Sequence, residues 1–186
     1  MKKFIKESWL VLVMGIVFAL LLAGTQTTLQ GRINENKTKA LNEAIANVVP
    51  NVASADELDI EGNKVFKCLG ADKQIVGWAI QAAGTGFVDK ITLVVGLSAD
   101  AATITGLKVI DNVETPGLGN KIASTAWPDQ YKQLDATRAV EVIKGTADKS
   151  NNEIQAITGA TWSSRYVTDI VNDVANRVRP KLAEHR

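Results

Sequence analysis

The chain has 186 residues, with 21 Lys and Arg against 20 Asp and Glu, giving a formal net charge of +1 at pH 7. That length holds one domain, or one domain and an anchor, and the charge balance argues against a nucleic-acid partner, which calls for a basic face. A hydrophobic content of 46% argues against disorder, and a single cysteine (Cys68) and a single histidine (His185) exclude an intramolecular disulfide, a Cys-ligated iron–sulfur cluster and ordinary His/Cys zinc sites, so any redox chemistry needs an organic cofactor.

Lys2, Lys3 and Lys6 precede a run from Trp9 to Gly24 that carries no charge. Those residues rise about 24 Å as a helix, short of a hydrocarbon core of about 30 Å, and the uncharged continuation Thr25–Leu29 supplies the missing turn. The pattern predicts a transmembrane helix over 9–28. The lysines place residues 1–8 in the cytoplasm and residues 29–186 outside, as a disulfide-free extracytoplasmic domain held by core packing. A cleaved signal peptide shares the basic start and apolar run. Against cleavage, Leu22-Ala23-Gly24 resembles a lipoprotein site, but Thr25 stands where the lipidated cysteine has to be. Gly15, Ala19 and Ala23 form a small-residue face that suits either helix packing or lipid.

Ile33 to Val49 has helical apolar spacing and stops at Pro50. Asp56 to Asn63 is polar and reads as a turn. Val65–Gly70, Ile75–Ala82, Ile91–Leu97 and Ile104–Ile110 read as strands, with a loop carrying Gly84 and Gly86 ahead of the third. Trp127–Leu134 reads as a short helix and Ala139–Lys144 as a further strand. From Ser164, the residues Val167, Ile170, Val171, Val174 and Val178 make one apolar helical stripe ending near Pro180. The order of elements predicts an α+β fold, an antiparallel sheet with packed helices behind one N-terminal transmembrane helix.

Two stretches carry chemistry. Thr158-Gly159-Ala160-Thr161-Trp162-Ser163-Ser164 sets four hydroxyls and a glycine at the start of the last helix. Ser163 or Ser164 there is either an N-cap, worth about 1 kcal/mol, or part of a phosphate site, because a helix N-terminus offers free amides and partial positive charge. A hydroxyl in that place either holds a phosphate non-covalently or is esterified to one; spacing does not separate the two. In Glu114-Thr115-Pro116-Gly117-Leu118-Gly119, the proline fixes one φ and the glycines open others, so the turn is either a connector or a rigid wall for a planar ligand. Gly84-Thr85-Gly86-Phe87 lacks the third glycine of a dinucleotide fingerprint.

Taken in order behind a single anchor, Glu114–Gly119 and Thr158-Gly159-Ala160-Thr161-x-Ser163 resemble the G subunit of the Rnf electron transport complex and the related C subunit of the sodium-translocating NADH:quinone oxidoreductase, which share an FMN-binding domain. The resemblance runs over nearly the whole chain and includes Trp127 and Tyr131. It implies FMN joined by a phosphoester to Ser163, with Thr158, Gly159, Ala160 and Thr161 as the recognition stretch and Glu114, Thr115, Gly117 and Leu118 as further cofactor-binding residues. Ser164 and Thr161 are the neighbouring hydroxyls. Three positions depart from the pattern: Ser163 where the family usually has Thr, Gln155 where an Asp is frequent (with Glu153 nearby), and Asn112-Val113 where a His is common.

The resemblance further implies a separate flavin transferase that takes FMN from FAD. It implies partners among the other subunits of a membrane complex that couples electron transfer between ferredoxin and NAD to ion translocation. The chain is then an electron carrier and not a complete catalyst. Trp78, Trp127, Trp162, Phe87 and Pro116–Leu118 are candidate flavin contacts. Two other readings stay open: a membrane-tethered module that binds a phosphorylated ligand non-covalently, and a flavin carrier of another extracytoplasmic respiratory system.

Overall fold

The computed structural model describes residues 2–124 and 126–185, and the side chains of residues 2–8, with Lys2, Lys3 and Lys6 among them, lie outside the described set. The chain divides into two units, residues 1–40 and 41–186. Helix α1 (Lys2–Val48) makes up the first unit and enters the second. Its apolar stretch is long enough to cross a membrane, and none of that stretch is buried. The sequence predicts two helices, over 9–28 and 33–49, but the backbone runs through without a break. Gln30, Lys37, Lys39, Ala40 and Leu41 are good helix formers, and no proline interrupts before Pro50.

The second unit is built on a five-stranded meander, in spatial order β1-β2-β3-β4-β5, with every neighbouring pair antiparallel. The strands are β1 (Ser54–Ile60), β2 (Asn63–Leu69), β3 (Ile75–Thr85), β4 (Lys90–Ser98) and β5 (Ile104–Asp111). The turn expected over Asp56–Asn63 is instead mostly strand β1, and only Glu61 and Gly62 turn the chain, both at positive φ. β1 is an edge strand with an acidic, largely exposed sequence, and its pairing to β2 is what orders it.

Strand alternation sorts the apolar residues to two faces. Phe66, Cys68, Ala79 and Val94 face the end of α1 and pack on Ala44, Ile45, Val48 and Val49. Burial there pushes the Cys68 thiol up to about 11. The opposite face carries Val65, Trp78, Ile80, Leu93 and Val95, which pack under helix α2 (Thr161–Arg177) through Val167, Ile170, Val171 and Val174. A pair of short parallel strands, β6 (Glu141–Ile143) and β7 (Glu153–Gln155), leads into α2. Asn152, buried and left-handed, donates to the carbonyls of Asp135, Arg138 and Ala139, while its Oδ1 accepts from the Asp135 amide. That knot fixes where β7 starts and therefore where the Thr158 stretch is delivered. The expected helix over Trp127–Leu134 is a single 3-10 turn, Pro128–Tyr131.

Candidate functional site

The segment between β7 and α2 is a tight turn. The Ala160 amide donates to the Ile157 carbonyl at 2.9 Å, and Gly159 sits at φ +82°, a conformation that favours glycine. The helix begins earlier than the apolar stripe predicts, at Thr161, and its N-cap is Ala160, which has no capping side chain. Neither serine is an N-cap. Ser164 lies inside the first turn, donating to the Ala160 carbonyl at 3.1 Å and accepting from the Ile157 amide at 3.0 Å. The amides of Thr161, Trp162 and Ser163 open the helix and so have no intrahelical acceptor.

Ser163 points the other way. Its Oγ donates to Glu114 Oε2 at 2.7 Å, and both side chains are buried, at 3% and 4% exposure. The other oxygen of Glu114 accepts from the amides of Phe87 and Val88, at 2.7 and 3.2 Å. One carboxylate thus ties the loop after β3, the turn after β5 and the start of α2. Two glycines make room for it. A Cβ on Gly86 would lie 2.5 Å from Oε1, and one on Gly119 would lie 2.7 Å from both Oε2 and Ser163 Oγ.

The turn itself is held by the amides of Leu118 and Asn120, which donate to the Thr115 carbonyl, and by the Gly117 amide, which donates to Asn120 Oδ1. Gly117 has φ +77° and its amide is committed to Asn120. Asn112, where the resemblance expects a His, accepts the Glu114 amide on its own side chain.

Thr115, Leu118, Gly159, Ala160, Thr161 and Ser163 meet around a notch of about 100 Å³, which Phe87, Gly119 and Trp162 complete. Thr158 and Gly117 do not line it, and Glu114 stands behind it, bonded to the Ser163 hydroxyl and the Phe87 amide. Phe87, Leu118 and Trp162 are exposed at the rim, and Val88 and Val113 are exposed on the same two segments. On the far side of Trp162 lies a wider hollow of about 430 Å³, bounded by Val142, Arg165 and Tyr166 among others. The Arg165 guanidinium sits 5.2 Å from the Trp162 ring centre.

Two of the aromatic candidates belong to the core instead. Trp78 is fully buried and donates to the Ala99 carbonyl, and Trp127 donates to the Gln155 carbonyl with its ring edge-on to Tyr131. Gln155 itself is exposed, with its backbone bonded to Gln130 and Trp127. The Glu153 carboxylate accepts from the Asp148 amide at 3.0 Å. Gly86 and Gly119 are the site residues that sequence reasoning left out. Both stand inside motifs named above; a Cβ on either would meet the Glu114 carboxylate, one on Gly119 would also meet Ser163 Oγ, and one on Gly86 would also meet the Asp89 carbonyl at 2.5 Å.

Residues 86–176 match the sequence pattern of the FMN-binding domain family. The chain is 34% identical, over 185 aligned positions covering 90% of it and 87% of the relative, to the G subunit of the Na(+)-translocating ferredoxin:NAD(+) oxidoreductase complex of Acetobacterium woodii. It is 30% identical to the G subunit of the ion-translocating oxidoreductase complex of Methanosarcina acetivorans, with 89% of each chain covered. Among solved structures, Shewanella oneidensis NqrC superposes with a TM-score of 0.60 at 21% identity, covering 75% of this chain and 74% of that one. That last likeness is one of fold.

Proposed function

Because this chain belongs to the family of G subunits of ion-translocating oxidoreductase complexes, we propose that it is the flavin-carrying subunit of such a complex, with FMN joined through its phosphate to Ser163. The observation that carries this reading is the Ser163 hydroxyl, held in a notch between the two motifs at the start of a seventeen-residue helix. A phosphate ester needs hydrogen-bond donors and positive potential, and the first amides of α2 supply both. A planar tricycle needs apolar surface beside that point, and Phe87, Leu118 and Trp162 offer it at the rim. The residues present therefore fit FMN.

When bound, the flavin supplies reversible one- and two-electron chemistry; the chain positions it and sets its surroundings. Ser163 fixes one end of the group. Gly119 and Gly159 let the backbone approach that end closely. The rim side chains Phe87, Leu118 and Trp162 would hold the bound group against apolar surface, and Arg165 places a positive charge at the hollow beyond Trp162. A covalent link keeps the site filled outside the cytoplasm, where free FMN is scarce. In this reading α1 spans the membrane over 9–28 with residues 1–8 in the cytoplasm, and residues 29–186 lie outside. A flavin transferase loads the site from FAD, and the electron partners are other membrane subunits of a ferredoxin- and NAD-linked translocase.

Intact mass and peptide mapping of the chain co-expressed with a flavin transferase test the attachment. An FMN adduct on the peptide containing Thr158–Arg165, gone in Ser163→Ala, is the expected result. No adduct on the wild-type chain, with the transferase active on a control substrate, would turn the reading towards non-covalent binding. An adduct surviving in Ser163→Ala would move the link to Thr161 or Ser164.

A further inference from the structure

We propose that Glu114 is the proton acceptor for the Ser163 hydroxyl as that hydroxyl takes up its phosphoester, an inference that rests on the reading of Ser163 as the attachment point. A serine hydroxyl is a poor nucleophile until a base within hydrogen-bond reach takes its proton. Glu114 Oε2 stands 2.7 Å from Ser163 Oγ and is positioned as the acceptor of that very proton. Its placement is over-determined. Oε1 is pinned by the Phe87 and Val88 amides, Gly86 and Gly119 clear the space on either side, and the carboxylate is buried. Among the described residues, no Lys, Arg or His forms an ion pair with Glu114. The carboxylate is therefore held by neutral donors, and its second oxygen is directed at the hydroxyl.

The step balances without a further reactant beyond the dinucleotide. Ser163 Oγ forms a bond to the FMN phosphorus of FAD, and its proton passes to Glu114. The pyrophosphate P–O bond breaks, and AMP departs with the bonding pair. Glu114 then returns the proton to solvent. Once esterified, Oγ has no hydrogen to donate, so the bond to Glu114 exists only before loading. Esterification also sets a phosphodiester anion beside a carboxylate, and the amides at the start of α2 offset that repulsion.

A purely structural tie makes a different prediction. In Glu114→Gln, the amide oxygen still accepts from Phe87 and Val88, while its NH2 group faces Ser163 as a donor and takes up no proton. The variant keeps the three segments tied and loses only the base. A third possibility, that the bond is a latch hiding Ser163 from the transferase, predicts faster loading in the variant.

The test uses the full chain in detergent with a purified flavin transferase, Mg2+ and FAD, following adduct formation by intact mass at several chain concentrations. Expected for Glu114→Gln is a melting temperature close to wild type, an unchanged KM for the chain, and a kcat lower by about 100-fold or more, in the range of general-base effects. Glu114→Asp, which restores a carboxylate, is expected to recover at least part of that loss. Wild-type or faster loading in Glu114→Gln would overturn the proposal, as would equal slowness of both variants together with a collapsed melting temperature. A wild-type chain that gains FMN elsewhere than Ser163 would overturn the attachment reading first, and this inference with it.

Discussion

Gly119 marks how little space surrounds the reacting hydroxyl. It opens a 3-10 turn and needs no positive φ, so an alanine there meets no backbone strain. What an alanine meets is the Ser163–Glu114 pair, 2.7 Å from each oxygen. Gly119→Ala is expected to cost about 1–3 kcal/mol of stability by overpacking and to lose most flavin loading, read by thermal melting and intact mass. Gly145→Ala, where a Cβ enters open space, is expected to leave both close to wild type. Loading unaffected in Gly119→Ala would mean the pair can rearrange freely. At this scale the sequence was legible in part. Both motifs that meet in the notch could be quoted as strings, but the bond between Ser163 and Glu114 joins residues 49 apart in the chain. No local periodicity reports such a contact. The same limit explains the serines: hydroxyls before an apolar stripe read as caps, yet here the turn at Gly159 starts the helix before either of them is reached.

Elements were legible where the core demanded apolar residues, as in β2 to β5, and most of all in β3 and β4, whose buried runs are nearly continuous because both faces of the sheet are covered. β1 was not legible, because an exposed edge strand needs no apolar pattern. The continuity of α1 was also hidden, since a helix that changes from an apolar to an amphipathic surface looks like two. The docking of its last turns depends on a feature visible only in three dimensions. Val48 lies across Gly96 of β4 and Gly106 of β5, and Thr105 Oγ1 donates to the Val48 carbonyl at 2.5 Å. A Cβ on Gly96 would press into that carbonyl and lie 2.6 Å from Thr105 Oγ1 and 2.8 Å from the Val48 carbonyl carbon. The carbonyl belongs to the backbone at a helix terminus, which cannot turn aside as a side chain can. Gly96→Ala is therefore expected to lift the helix end from the sheet at a cost of about 3 kcal/mol, lowering the melting temperature by roughly 10 °C. A shift of under a few degrees by calorimetry would mean that the helix end slides without loss of packing.

For the whole molecule, the compact unit begins at residue 41, and this sets where the chain can be cut. Ala44, Ile45, Val48 and Val49 cover the sheet face formed by Phe66, Cys68, Ala79 and Val94, so the last turns of α1 are part of the core and not merely a stalk. A fragment of residues 41–186 keeps both covered faces and is expected to be soluble without detergent and to unfold cooperatively. A fragment of residues 50–186 bares one sheet face and is expected to aggregate or to lose most of its stability, since an apolar patch of that kind calls for a partner. Cys68 reports the difference directly. In the longer fragment burial holds the thiol up to about 11, so at pH 8 almost none of it is thiolate and alkylation is slow. In the shorter fragment the thiol is uncovered, its pKa returns towards the ordinary value near 9, and alkylation at pH 8 speeds up by roughly tenfold or more. Equal labelling of the two fragments would show that the sheet holds its second face closed without the helix. In that case the glycines at 96 and 106 would need an explanation other than helix docking.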